Sequence, residues 1–188
     1  MNNGAGVAVM FSKHIQMNEN QFLNNWGTAS FGLLLKEIYD AEITDNTFDE
    51  NTVAIAVEGS SRINYLNNTL SRNGWGVKMS GGCYSNKFSN NAFSNNSFDV
   101  SFNSRLNDNE FSGNFWSTYS GYDLNKDGVG DVPHRPVKLF SYVVNKTPES
   151  IVLLRSFFVD LINFTENVAP VFTPIDLIDN SPLMRMPS

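Results

Sequence analysis

The chain has 188 residues, 41% of them hydrophobic and 13% aromatic, so it can bury a core; at 17%, its charged content is too low for a disordered segment. A net charge of −6 and a pI near 4.8 leave no basic stripe, which excludes the electrostatic footprint of a nucleic-acid binder. The single cysteine, Cys83, excludes an internal disulfide framework and any multi-thiolate metal site within one chain.

Residues 1–10 carry neither the basic segment nor the apolar run of a signal peptide, and they fall directly into a repeat. The chain is therefore expected to be the C-terminal piece of a longer solenoid. The repeat is Asn, any residue, Phe or Leu, two further residues, then Asn, starting at Asn20, Asn46, Asn68, Asn91 and Asn109. Its central apolar residues, Phe22, Phe48, Leu70, Phe93 and Phe111, are separated by 26, 22, 23 and 18 positions. A second apolar series, Met17, Ile43, Tyr65, Phe88 and Leu106, precedes each first Asn by three. Pairs spaced by two begin each coil: Val7 and Val9, Leu33 and Leu35, Ile55 and Val57, Val77 and Met79, Val100 and Phe102.

Period-two alternation marks short strands facing one narrow interior. The expected fold is all-β: a right-handed parallel β-helix over residues 1–114. The repeated asparagines are expected at the bends, in the left-handed conformation, with their amides stacked along the axis about 4.8 Å apart. His14, Asp40, Arg62 and Ser85 fall at roughly matching bends, so equivalent positions do not repeat an acid. Neither the paired carboxylates of a glycosidase nor a Ser/His/Asp constellation is legible, and no catalytic residue is assigned.

Residues 115–146 form the expected capping segment. Trp116, Tyr119 and Tyr122 are large flat groups suited to covering the last coil. Within it, Asp123, Asn125, Asp127, the carbonyl of Val129 and Asp131 alternate oxygen ligands around Gly128, a spacing that fits a short calcium loop. The alternative is an Asx-turn loop without an ion, and His134 stands where an EF-hand pattern requires Glu.

Residues 147–188 are expected to hold one helix and a Pro-rich extended tail from Val168 onward. Thr147 reads as N-cap, Pro148 as the first helical residue and Glu149 as a first-turn acid. Ile151, Leu154, Phe158 and Leu161 form one stripe, with Leu153, Phe157 and Phe164 beside it. This face either packs on the β-helix or docks a partner; Leu154, Phe157, Phe158 and Leu161 are the candidate docking residues. Its most apolar stretch, residues 151–168, contains Arg155, Asp160 and Glu166, so it does not read as a membrane span.

Three segments together, GNFWSTYSGYDLNKDGVGDVPHRPVKLFSYVV from Gly113, TPESIVLLRSFFVDL from Thr147 and PLMRMP from Pro182, resemble the C-terminal part of the NosD family of nitrous oxide reductase maturation proteins. The resemblance implies a non-catalytic periplasmic accessory protein. Its expected partners are an ABC transporter permease, a copper chaperone and nitrous oxide reductase, with membrane contact only through them. Polysaccharide binding or cleavage, and a purely adhesive solenoid, are the alternative readings. Among the soft side chains, Met17 and Met79 belong to inward ladders and Cys83 reads as a small buried hydrophobe, which leaves His14, Met184 and Met186 as candidates for transient copper contact. Truncation after Asn145 is expected to spare the β-helix and abolish transporter association.

Overall fold

The computed structural model describes residues 5–103, 108–154, 156–168 and 177–187. Coil one holds β1 (Val7–Met10), β2 (Gln16–Asn18) and β3 (Gln21–Leu23), and coil two β4 (Phe31–Lys36), β5 (Tyr39–Thr44) and β6 (Thr47–Asp49). β7 (Val53–Glu58), β8 (Ser61–Leu66) and β9 (Thr69–Ser71) make coil three; β10 (Trp75–Ser80), β11 (Lys87–Ser89) and β12 (Ala92–Ser94) make coil four. Coil five consists of β13 (Phe98–Asn103), β14 (Glu110–Ser112) and β15 (Phe115–Trp116). Every third strand pairs in parallel, giving three five-stranded sheets wrapped around one core, a parallel β-helix as the apolar ladders require.

Two of the expected ladders run in the predicted register. Val7 pairs Leu33, then Ile55, Val77 and Val100; Val9 pairs Leu35, then Val57, Met79 and Phe102. The fifth coil differs. Phe111 lies on Phe88 and extends the Met17, Ile43, Tyr65 ladder, while Trp116 lies on Phe93 and ends the Phe22, Phe48, Leu70 ladder. The physical reason is that one coil carries the repeat twice, five positions apart. NKFSNN at Asn86 has the same pattern as NAFSNN at Asn91, and Asn109 stacks on Asn86. Leu106, expected on this ladder, lies outside the described residues.

The asparagines do stack, but they are not the left-handed residues. Asn20, Asn46, Asn68, Asn91 and Asn114 form one column in which each side-chain N–H donates to the next carbonyl oxygen at 2.9–3.1 Å. A second column runs Asn25, Asn51, Asn73 and Asn96 at 2.7–3.0 Å. Left-handed φ values belong to the residue before each: Glu19, Asp45, Asn67 and Asn90 in one column and Asn24, Glu50, Arg72 and Asn95 in the other, all between 53° and 58°, with Gly113 before Asn114 at 69°. That residue turns the chain so that the following Asn points inward, where its amide answers buried polar groups.

Planar side chains stack in the same way. Tyr65, Phe88 and Phe111 form a three-ring pile with centroids 4.2 and 4.4 Å apart and planes within 3° of parallel. The Tyr65 hydroxyl is buried without a hydrogen-bond partner, and burial raises its pKa well above the ordinary value. Tyr65→Phe removes an unsatisfied buried group, so it should stabilise the protein by about 1 kcal/mol. Equilibrium urea unfolding measures the change, and destabilisation would refute it.

Helical elements cover the outside of the first sheet at coils four and five. The expected helix from Thr147 is displaced and divided: α1 spans Leu139–Lys146, a 3-10 helix spans Pro148–Leu153, and α2 spans Phe157–Val168. Thr147 terminates α1 because Pro148 has no N–H with which to continue it. Phe140, Val144 and Val159 pack on Trp75 and Phe98, a second core outside the solenoid.

Residues 177–187 act as a sixth rung. Asp179 and Leu183 bridge Phe111 and Phe115 on one side, and His134 and Val129 on the other. This part of the tail therefore lies on the chain's own last coil.

Candidate functional site

The candidate docking face follows from how α2 is held. Its inward residue is Val159, buried in the second core, which leaves the opposite side of the same helix uncovered. Phe157 is 80% exposed, and Phe158, Leu161 and Phe164 are also exposed. Ile151, Val152 and Leu153 of the 3-10 helix join them, with Val152 at 86%. Leu154 differs from the other three docking candidates: it is half-buried against the second core. The apolar stripe thus faces solvent, and the packing alternative falls to Phe140, Val144 and Val159. Burial of α1 beneath α2 was not legible because Leu139–Lys146 is only eight residues long and carries no side-chain cap.

In the candidate calcium loop the oxygens are committed to the loop itself. Asp123 accepts backbone N–H bonds from Lys126 and Gly128 at 2.6 and 2.9 Å, and Asp127 accepts one from Val129 at 2.8 Å. Asn125 accepts from Asp127 at 3.1 Å, and Asp131 from Leu124 at 2.7 Å. This is the Asx-turn arrangement. Among the described residues, no three His, Cys, Asp or Glu side chains are grouped as ligands of one ion would be.

The copper candidates are not brought together either. His14 sits on an exposed bend of coil one. Met184 and Met186 lie on the sixth rung, five strand spacings along the axis, roughly 24 Å away. Met79 and Cys83 are inside, and burial pushes the Cys83 thiol up. His14, Asp40, Arg62 and Ser85 do share one bend column, with φ between 56° and 58°. Asp40 receives two hydrogen bonds from the Arg62 guanidinium, at 2.6 and 2.9 Å, which hold its carboxyl below the usual carboxylate range. An acid held ionised in this way is unsuited to proton donation.

Sequence reasoning missed the C-terminal cap. Asp179 is fully buried and ends the first asparagine column: its carboxylate accepts from the Asn114 amide N–H and side chain at 3.0 and 3.1 Å, and from Trp116 Nε1 at 3.0 Å. The second column ends on Asp99, which accepts from the Asn96 side chain at 3.1 Å; burial raises its pKa. Trp116, expected to cover the last coil, is itself part of coil five and ends its ladder on Phe93; Tyr119 packs against the core, and Tyr122 is 57% exposed. The sequence signal for Asp179 is an acid that follows Leu177 and Ile178 and precedes Asn180, in a segment otherwise read as a loose tail.

A solenoid around an apolar core, a capped end and an exposed apolar helix face fit a scaffold of the binding or accessory type. The family described as "Periplasmic copper-binding protein (NosD)" matches residues 1–121, and the chain belongs to that family. It is 36% identical to "Probable ABC transporter binding protein NosD" of Pseudomonas aeruginosa over 76 residues, covering 40% of this chain and 18% of that protein. The protein of the same name from Stutzerimonas stutzeri is 26% identical over 199 residues, covering 96% of this chain and 45% of the relative. The chain thus spans less than half the length of these curated relatives. Among the described residues, no helix is long and apolar enough to cross a membrane. The separated His14, Met184 and Met186 do not fit a resident copper site.

Proposed function

We propose that this chain is a non-catalytic periplasmic accessory scaffold of an ABC transporter system that assembles the copper centres of nitrous oxide reductase. It acts by protein docking: the permease takes the 3-10 and α2 face, while a copper chaperone and nitrous oxide reductase are the further partners. The observation that carries this reading is the exposed apolar face from Ile151 to Phe164. With side chains of this size it amounts to something on the order of 800 Å², more than a soluble monomer ordinarily leaves exposed and close to one side of a standard interface. The relatives' name, "Probable ABC transporter binding protein NosD", supports the choice of an ABC transporter system. Copper is the system's cargo in this reading, contacted transiently at most by His14, Met184 or Met186. Asp123, Asn125, Asp127 and Asp131 accept backbone amides of their own loop, and a calcium ion held there with the Val129 carbonyl would brace the capping segment without taking part in docking.

The test uses the full chain carrying Phe157→Ser, Phe158→Ser and Leu161→Ser, co-purified with the permease in detergent. These side chains are exposed, so the thermal transition should stay within a few degrees of the parent while association falls at least tenfold. Undiminished association would move the docking site elsewhere. Polysaccharide turnover by the purified chain would overturn the non-catalytic reading.

A further inference from the structure

We infer that residues 177–187 form an acid-released strap, latched over the last coil by the neutral imidazole of His134. The latch stands on four observations. His134 and Asp179 exchange both backbone hydrogen bonds, at 2.8 and 2.9 Å, so the histidine backbone holds the strap at the residue that ends the first asparagine column. The imidazole is wedged between rings, 5.0 Å from the Trp116 centroid and edge-on to Tyr119 at 5.8 Å. Its Nε2 is buried without a hydrogen-bond partner. Besides the Asp179 carboxylate, which accepts from Gly113, Asn114 and Trp116, the strap is held by Leu183 N–H to Asn114, Met184 N–H to Gly128 and Gly130 N–H to Pro182.

A neutral ring tolerates that wedge, because an aromatic surround costs an uncharged imidazole only one unmade hydrogen bond. An imidazolium there would carry a charge and an N–H with nothing to accept it. Two charged groups face the ring: Asp179 from the strap favours protonation, and Lys138 from the segment leading into α1 opposes it. Tyr119 and Trp116 on the coil side carry no charge. Desolvation dominates and lowers the His134 pKa to about 4. The sign follows directly. Folded His134 binds its proton less readily than a released one, so strap closure is fully favoured above pH 6.5 and is progressively lost as pH falls toward 4. Opening the strap solvates the ring and uncovers the edges of β14 and β15.

Hydrogen exchange of the full chain between pH 7 and pH 4, corrected for the intrinsic rate, tests this. Protection of the Leu183 and Met184 amides should fall about 30-fold by pH 5, while amides of coils two to four hold. His134→Gln, which cannot protonate, should show a flat profile. Lys138→Gln removes the opposing charge and should shrink the acid loss, which keeps the test decisive if His134→Gln folds poorly. Unchanged strap protection in the parent at pH 4 would overturn the inference. So would an equal loss in His134→Gln, which would place the titration on a group other than His134.

Discussion

Asp179→Ala is expected to cost about 4 kcal/mol and to open the C-terminal end of the stack. The carboxylate accepts N–H bonds from the backbones of Gly113, Asn114 and Ser181, from the Asn114 side chain and from the Trp116 indole, all at 3.0–3.1 Å. Alanine leaves five donors at a buried site with no acceptor, and the cost of an unmade bond to a buried donor exceeds the net value of the bond when made. Asp179→Asn keeps an acceptor oxygen and loses the charge, so it should cost roughly half as much. Urea denaturation provides the comparison. Equal losses for the two variants would show that packing, and not the carboxylate, holds the end. The same contacts alter the truncation experiment expected from the sequence. Cutting after Asn145 removes Asp179 with the docking helix, so the shortened chain loses its cap, and only substitutions on the exposed face separate docking from stability.

Phe88→Ala is expected to cost about 4 kcal/mol as well, by a different route. Phe88 is 1% exposed and lies between Tyr65 and Phe111, in contact with a ring on each side. Removing the middle ring opens a cavity that neither neighbour can close, because each is fixed by strand pairing to its own coil. The transfer and cavity costs add. Phe88→Leu should cost only about 1–1.5 kcal/mol. Thermal unfolding distinguishes the two, and a Phe88→Ala loss below about 1 kcal/mol would mean that the coils slide to fill the gap.

The solenoid was legible because its constraint is local and repeated. Leu33, Ile55, Val77 and Val100 are each set by alternation within one strand, and the spacing of coils adds them into a column. Coil five was misaligned because two equally good patterns, at Asn86 and Asn91, lie within one turn, and local pattern alone cannot tell which one Asn109 continues. The buried asparagines were recognised for their stacking and misassigned in backbone conformation, since the left-handed turn is made by the residue before each of them. Much of the candidate site rests on contacts between distant segments: Asp179 meets Asn114 across 65 positions, and no periodicity links them. Helix α2 was readable as apolar, but which side faces outward depends on α1, whose weak sequence signal concealed it.

The asparagine columns give the stack a direction. Each amide donates toward the C-terminal end and accepts from the other side, so the bond dipoles add head to tail as they do along a helix. The donor end meets the carboxylates of Asp179 and Asp99. The opposite face offers the carbonyl oxygens of Asn20 and Asn25. A strand added there must bring N–H groups, and two such faces brought together would meet acceptor against acceptor. The column that binds each coil to the next thereby also fixes the sense in which a further coil can be stacked.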